Sequence, residues 1–186
     1  MPDLKIALRA PRVAWLLLLT AGLLWINATR VQDPALLGPP GQRPASPQVG
    51  FPAPDFTLSR ADGQTLRLAD LHGQPLVLNF WATWCPPCRA EMPALQSAAQ
   101  TFGGRGVRVL AINQAEEPAQ VTAFMQTLQL DLPALLDRDA AVSQLYRVRS
   151  LPTTFFLDRE GVIREIVIGG PMSQALLTSK MESLLK

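Results

Sequence analysis

Asn79-Phe80-Trp81-Ala82-Thr83-Trp84-Cys85-Pro86-Pro87-Cys88-Arg89-Ala90-Glu91 is the stretch that decides how this chain folds. It joins two patterns. Pro75 to Trp81 is an almost unbroken apolar run, as expected for a central strand buried on both faces. Pro86 to Phe102 has helical periodicity, with Met92, Leu95, Ala99 and Phe102 on one face and Gly103-Gly104 to stop it. Pro93 falls inside that helix and is expected to kink it. Both cysteines of the protein sit at the junction, separated by two residues. A Cys-x-x-Cys at a strand–helix junction reads as a dithiol/disulfide switch.

The two thiols are not equivalent. Cys85 stands at the start of the helix, where partial positive charge and unpaired N–H groups favour a thiolate. It is expected to be the more exposed and more acidic thiol, and the attacker. Cys88 lies one turn in and is expected to resolve the mixed disulfide. Pro86 and Pro87 suit a first helical turn, stiffen the loop and withhold two N–H donors. Glu91 follows Cys88 by three residues. It reads as a proton acceptor for the buried thiol, with a dipole-complementing first-turn acid as the plainer alternative. Pro152, in Leu151-Pro152-Thr153-Thr154, is the candidate for a cis X-Pro bond facing Cys85. Trp84, Pro86, Pro87, Leu151 and Pro152 are the expected substrate-binding residues. Trp81 is expected in the core and Trp84 on the rim.

Working outward, Asp55-Phe56-Thr57-Leu58 and Thr65-Leu66-Arg67-Leu68 flank Ala61-Asp62-Gly63 and predict a β-hairpin. Asp70 to Gln74 predicts a turn. Val107–Asn113 predicts a second buried strand and Pro118–Leu128 a helix with Val121, Phe124, Met125 and Leu128 inward. Asp131–Leu136 predicts a short strand and Ala140–Tyr146 a helix. Thr153–Leu157 and Val162–Ile168 predict strands joined by a turn at 158–161. A closing helix is expected over Ser173–Leu185, capped by Ser173. Glu116-Glu117 reads as solvated helix-entry charge, bordering the site at most, and Met172 as a loop residue with no assignable role. The fold class is α/β: a mixed central sheet flanked by helices, with an N-terminal hairpin and a central helix–strand insertion.

The chain has 186 residues, 48% of them hydrophobic and 17% charged, which suits a packed core and argues against global disorder. A net charge of +2 gives nucleic-acid binding no support. Two cysteines and the single His72 cannot build a Cys₄ or Cys₂His₂ zinc site, and no metal or cofactor is expected beyond the cysteine pair. Lys5, Arg9 and Arg12 precede a stretch, Val13 to Thr29, that carries no charge. It reaches the short edge of a bilayer span, about 17–25 residues. The expected organisation is a cytoplasmic basic N-terminus (1–12), a single-pass signal-anchor (13–29), a linker rich in Pro and Gly (30–49) and one domain (50–186) outside the cytoplasm. A cleaved signal peptide is the rival reading of the apolar run.

Taken together, these motifs resemble the thioredoxin superfamily, and within it the membrane-tethered TlpA/ResA-like thiol–disulfide oxidoreductases. The resemblance rests on Pro54-Asp55-Phe56, Asn79 to Cys85, Arg89-Ala90-Glu91-Met92-Pro93, the additional helix and strand over 118–136, and Leu151-Pro152-Thr153-Thr154, and covers about 50–186. It implies a thioredoxin fold and an anchored domain facing the periplasm. It also implies reduction of disulfides in partner proteins, such as apocytochrome c or the copper-site and assembly-factor thiols of haem–copper oxidases. A membrane electron donor would return the electrons. Glu91 matches the acid this family places near its cysteines. Thioredoxin itself has a buried acid where this chain has Asn79. The cytochrome-maturation branch resembling CcmG carries Gly-x-Pro-Glu-Thr where this chain has Ser150 to Thr154.

Two other chemistries stay open. Cu(I) suits a thiolate pair, so a metallochaperone is the non-enzyme reading. A peroxiredoxin-type peroxidase shares the Pro-Asp-Phe start. It expects Thr or Ser three residues before the attacking Cys and Pro four before that, where this chain has Ala82 and Leu78.

Overall fold

The computed structural model describes residues 15, 17–22, 25 and 43–186. The chain divides into two units, 1–38 and 39–186. In the first, Trp15, residues 17–22 and Trp25 are helical. Among the described residues no helix is long and apolar enough to cross a membrane. The basic N-terminus (1–12), most of the expected anchor (13–29) and the first part of the linker (30–42) lie outside the described residues.

The second unit alternates strand and helix. The strands are β1 (Thr57–Arg60), β2 (Thr65–Arg67), β3 (Leu76–Trp81), β4 (Arg108–Gln114), β5 (Ala134–Asp137), β6 (Thr153–Leu157) and β7 (Ile163–Ile168). The helices are α1 (Pro86–Gly103), α2 (Pro118–Thr127), α3 (Ala141–Leu145) and α4 (Gln174–Ser183). Leu68–Leu71 forms a short 3-10 turn. One seven-stranded sheet runs in the order β2-β1-β5-β4-β3-β6-β7. β3 pairs with β4, and β4 with β5, in parallel; the other pairings are antiparallel.

β3 is buried at all six positions, which is why its sequence reads as a continuous apolar run. Its side chains alternate between two cores. Val77 and Trp81 join Leu95, Val121, Phe124, Leu177 and Met181, from α1, α2 and α4. Leu76, Leu78 and Phe80 join Phe56, Leu110, Ile112, Val142 and Tyr146 on the opposite face. Helices therefore cover both faces, and the expected α/β fold class holds.

Differences from the expectations are local. The Ser173 hydroxyl accepts from Leu176 N, as the capping reading requires. α1 runs through Pro93 unbroken, with Pro93 exposed. Leu128, expected inward, is 38% exposed because α2 ends at Thr127 and Leu128 is its C-cap. β5 begins at Ala134, after Pro133, whose ring has no N–H to give a ladder. Residues 50–53 pair with the start of β7 and the turn before it: Gly50 N donates to Ile163 O (2.8 Å), Ile163 N to Phe51 O (2.9 Å) and Ala53 N to Gly161 O (2.9 Å).

Candidate active site

The site lies where β3 and β4 end and β6 begins. The register Phe80↔Thr153 puts Pro152 one step past the strand pair, beside the end of β3. The parallel register Trp81↔Asn113 brings the end of β4 to the same edge.

Cys85 and Cys88 form a disulfide with Cα atoms 5.3 Å apart. Cys85 is the N-cap of α1, and its sulfur accepts from Cys88 N at 3.3 Å. The two prolines explain that choice of donor. Pro86 and Pro87 occupy the first two helical positions without N–H groups, so the first amide that can reach the cap atom is that of Cys88. The expected order of exposure is present with a small margin: Cys85 is 3% exposed and Cys88 0%. Trp84 beside them is 68% exposed, while Trp81 is fully buried 5.1 Å from the Phe124 ring. Pro86 is exposed and Pro87 half-buried. The Leu151–Pro152 peptide is cis, Leu151 is half-buried and Pro152 is buried. A second cis bond, Gly170–Pro171, escaped the sequence reading.

Glu91 is fully buried, one helical turn beyond Cys88. It lies past the first turn of α1, which removes the dipole-complementing alternative. Its Oε1 accepts from Asn79 Nδ2 at 2.8 Å and its Oε2 from Met172 N at 3.0 Å. Burial pushes the carboxyl above its ordinary range, and the Met172 and Asn79 bonds pull partly against that. Asn79 Nδ2 also donates to Thr154 Oγ1 at 2.9 Å, across the β3–β6 register pair Asn79↔Thr154. A Cβ added at Gly170 would stand 2.8 Å from both Glu91 Oε2 and Pro152 Cγ, so the 169–172 loop closes directly over the acid.

Glu116 departs from its expected role. Its side chain is buried, not solvated, and accepts from Thr83 N and Asn113 Nδ2, both at 2.7 Å, and from the Thr83 hydroxyl. It thereby fixes the loop two residues before Cys85. Glu117 is the exposed member of the pair and meets Arg138 at 2.7 Å. Met172 also gains a role, since its side chain is buried and its N–H holds Glu91. Local sequence carries no signal for either residue. Asn79 did have one, as the single polar residue within the apolar run of β3.

The arrangement offers a cystine at a helix N-terminus, a buried acid one turn away and a cis-proline loop alongside. Residues 49–166 match the AhpC/TSA family. The chain belongs to the AhpC/TSA family. It is 38% identical over 136 residues to the thiol-disulfide oxidoreductase ResA of Geobacillus thermodenitrificans, covering 73% of this chain and 78% of that one. A solved thiol:disulfide interchange protein of the thioredoxin family from Chlorobium tepidum superposes with a TM-score of 0.64 at 30% identity, over 73% of this chain and 96% of that chain. StoA from Bacillus subtilis superposes with a TM-score of 0.60 at 29% identity, over 74% and 98%. This AhpC/TSA member is a thiol–disulfide oxidoreductase with a thioredoxin-like fold. Positions 78 and 82, where a peroxidase would need Pro and a hydroxyl, hold buried Leu78 and Ala82. Among the described residues no group of three or more His, Cys, Asp or Glu is arranged to hold a metal ion.

Proposed function

We propose that this protein reduces disulfides in partner proteins outside the cytoplasm, held to the membrane by residues 13–29. The Cys85–Cys88 disulfide capping α1, with Glu91 buried one turn on, is the observation that carries the reading. In the reduced enzyme the Cys85 thiolate attacks one sulfur of the partner's disulfide, and the partner's other sulfur leaves as a thiolate. Cys88 passes its proton to Glu91 and attacks Cys85 Sγ. The second partner thiolate leaves, the partner has gained two electrons, and the enzyme is left as the cystine. Trp84, Pro86, Pro87, Leu151 and Pro152 form the surface against which the partner segment lies. A membrane thiol–disulfide relay then re-reduces the cystine, because an exported domain is cut off from the cytosolic thiol pool. Apocytochrome c and the copper-site or assembly-factor thiols of an oxidase are the partner types the family favours.

The membrane assignment is supported by Lys5, Arg9 and Arg12 ahead of the uncharged stretch 13–29. The direction is tested by equilibrating the protein with a thiol–disulfide buffer. A potential well below about −200 mV is expected of a reductant, and one near that of a strong oxidant, about −120 mV, overturns it. The acid's part is tested by Glu91→Gln, which is expected to slow exchange about 10²-fold near neutral pH. An unchanged rate removes Glu91 from the mechanism.

A further inference from the structure

Asn79 spends both of its amide protons inside the protein. One goes to Glu91 Oε1 at 2.8 Å, the other to Thr154 Oγ1 at 2.9 Å. Its own carbonyl oxygen is buried with no partner. A buried amide ordinarily pairs its acceptor as well, so this orientation gives up one bond to make two donor bonds. The reverse orientation would set Asn79 Oδ1 at hydrogen-bond distance from a carboxylate oxygen, acceptor against acceptor. The donor orientation is the one that a carboxylate at position 91 requires.

We infer that Asn79 is the positioning residue for Glu91: its amide, braced by Thr154, holds the acid as an oriented carboxylate and ties it to β6, the strand that follows Pro152. Three elements converge on the acid. β3 brings Asn79, the 169–172 loop brings Met172 N and the space left by Gly170, and β6 brings Thr154 through Asn79. Of Asn79, Thr154, Pro152, Gly170, Met172 and the preceding-turn residue Cys88, only Cys88 titrates, and only when reduced. In the oxidised protein, therefore, no charged neighbour in this set competes with Asn79 for control of Glu91. Burial works against the carboxylate, and the Asn79 and Met172 donors work for it.

The role given to Asn79 rests on reading Glu91 as the proton acceptor, and its test is independent of turnover. The Glu91 side-chain carboxyl carbon is followed by NMR against pH in the oxidised full-length protein. Asn79→Leu is expected to raise the ionisation midpoint by at least about one pH unit, a tenfold change in proton affinity. Thr154→Val is expected to raise it by less. The double variant should match Asn79→Leu alone, because Thr154 acts through Asn79. Asn79→Asp, nearly isosteric, exchanges the donor for an acid and should turn one titration step into two, the second displaced upward. It decides the matter where Asn79→Leu does not fold. A purely structural Asn79 would lower stability and leave the midpoint in place. Midpoints within about 0.3 units of wild type in the folded Asn79 variants would overturn the role. If instead the midpoint moves as expected while Glu91→Gln exchanges at the wild-type rate, the proton-relay reading fails and the positioning stands.

Discussion

Glu91 is the residue on which burial and charge conflict most directly. The carboxyl is fully buried and held by two donors, and burial outweighs them, so its proton affinity is raised. The consequence for stability has a definite sign. Between the ordinary carboxyl value of 4.5 and the raised folded value, the native state binds a proton that the unfolded state has released. Stability from this group is fully present below that window and falls as pH rises through it, no more steeply than about 1.4 kcal/mol per pH unit. Denaturant titrations of the oxidised protein across pH should show the decline in wild type and lose it in Glu91→Gln. At Gly170, Ala would drive its Cβ into Glu91 Oε2, which is held by Met172 N, and into Cγ of the buried Pro152. The expected cost is about 1–3 kcal/mol, read by chemical denaturation. At this scale the pairing of Cys85 with Cys88 and the cis bond before Pro152 were legible, because each belongs to a short contiguous motif. Met172 was not, since its contribution is a backbone N–H that any residue type could supply.

Among the elements, the segment between β3 and α1 is held from the side rather than by its own sequence. Glu116 accepts two hydrogen bonds from it, from the Thr83 N–H and hydroxyl, and a third from Asn113 in β4, while the Arg89 guanidinium donates to Thr83 O at 3.3 Å from α1. Glu116→Ala would leave the Thr83 N–H and the Asn113 amide without their acceptor. The expected destabilisation is about 2–4 kcal/mol by denaturant melting, with Glu116→Gln recovering part of it. Ser173→Ala should cost about 1 kcal/mol through loss of the α4 cap. The elements themselves were readable because hydrophobic period and turn residues are local signals. Which of two adjacent glutamates turns inward was not. That depends on Ala115 taking a left-handed conformation (φ 58°) and on a partner, Thr83, 33 residues away. The order of the sheet was equally hidden, since β1 pairs with β5 across a long stretch of chain.

At the scale of the whole molecule, the unit 39–186 carries both cores and every site residue. Expressed without residues 1–38, it should fold, melt cooperatively and exchange thiols at the full-length rate within about twofold. It should also leave the membrane fraction if the anchor reading is right. Fold class was legible from the alternation of strand and helix patterns along the chain, and the chemistry from the one junction that holds both cysteines. The reading of partner and direction draws on family resemblance, as neither is encoded in contacts within one chain. The proposed chemistry turns on the asymmetry of the two thiols, with Cys85 attacking and Cys88 resolving. Its most direct measurement is covalent trapping in cells expressing full-length Cys88→Ala. Disulfide-linked adducts through Cys85 are expected, which a reductant dissolves and Cys85→Ala does not form. A folded, expressed Cys88→Ala protein that captures nothing, or equal capture by Cys85→Ala, would contradict that asymmetry.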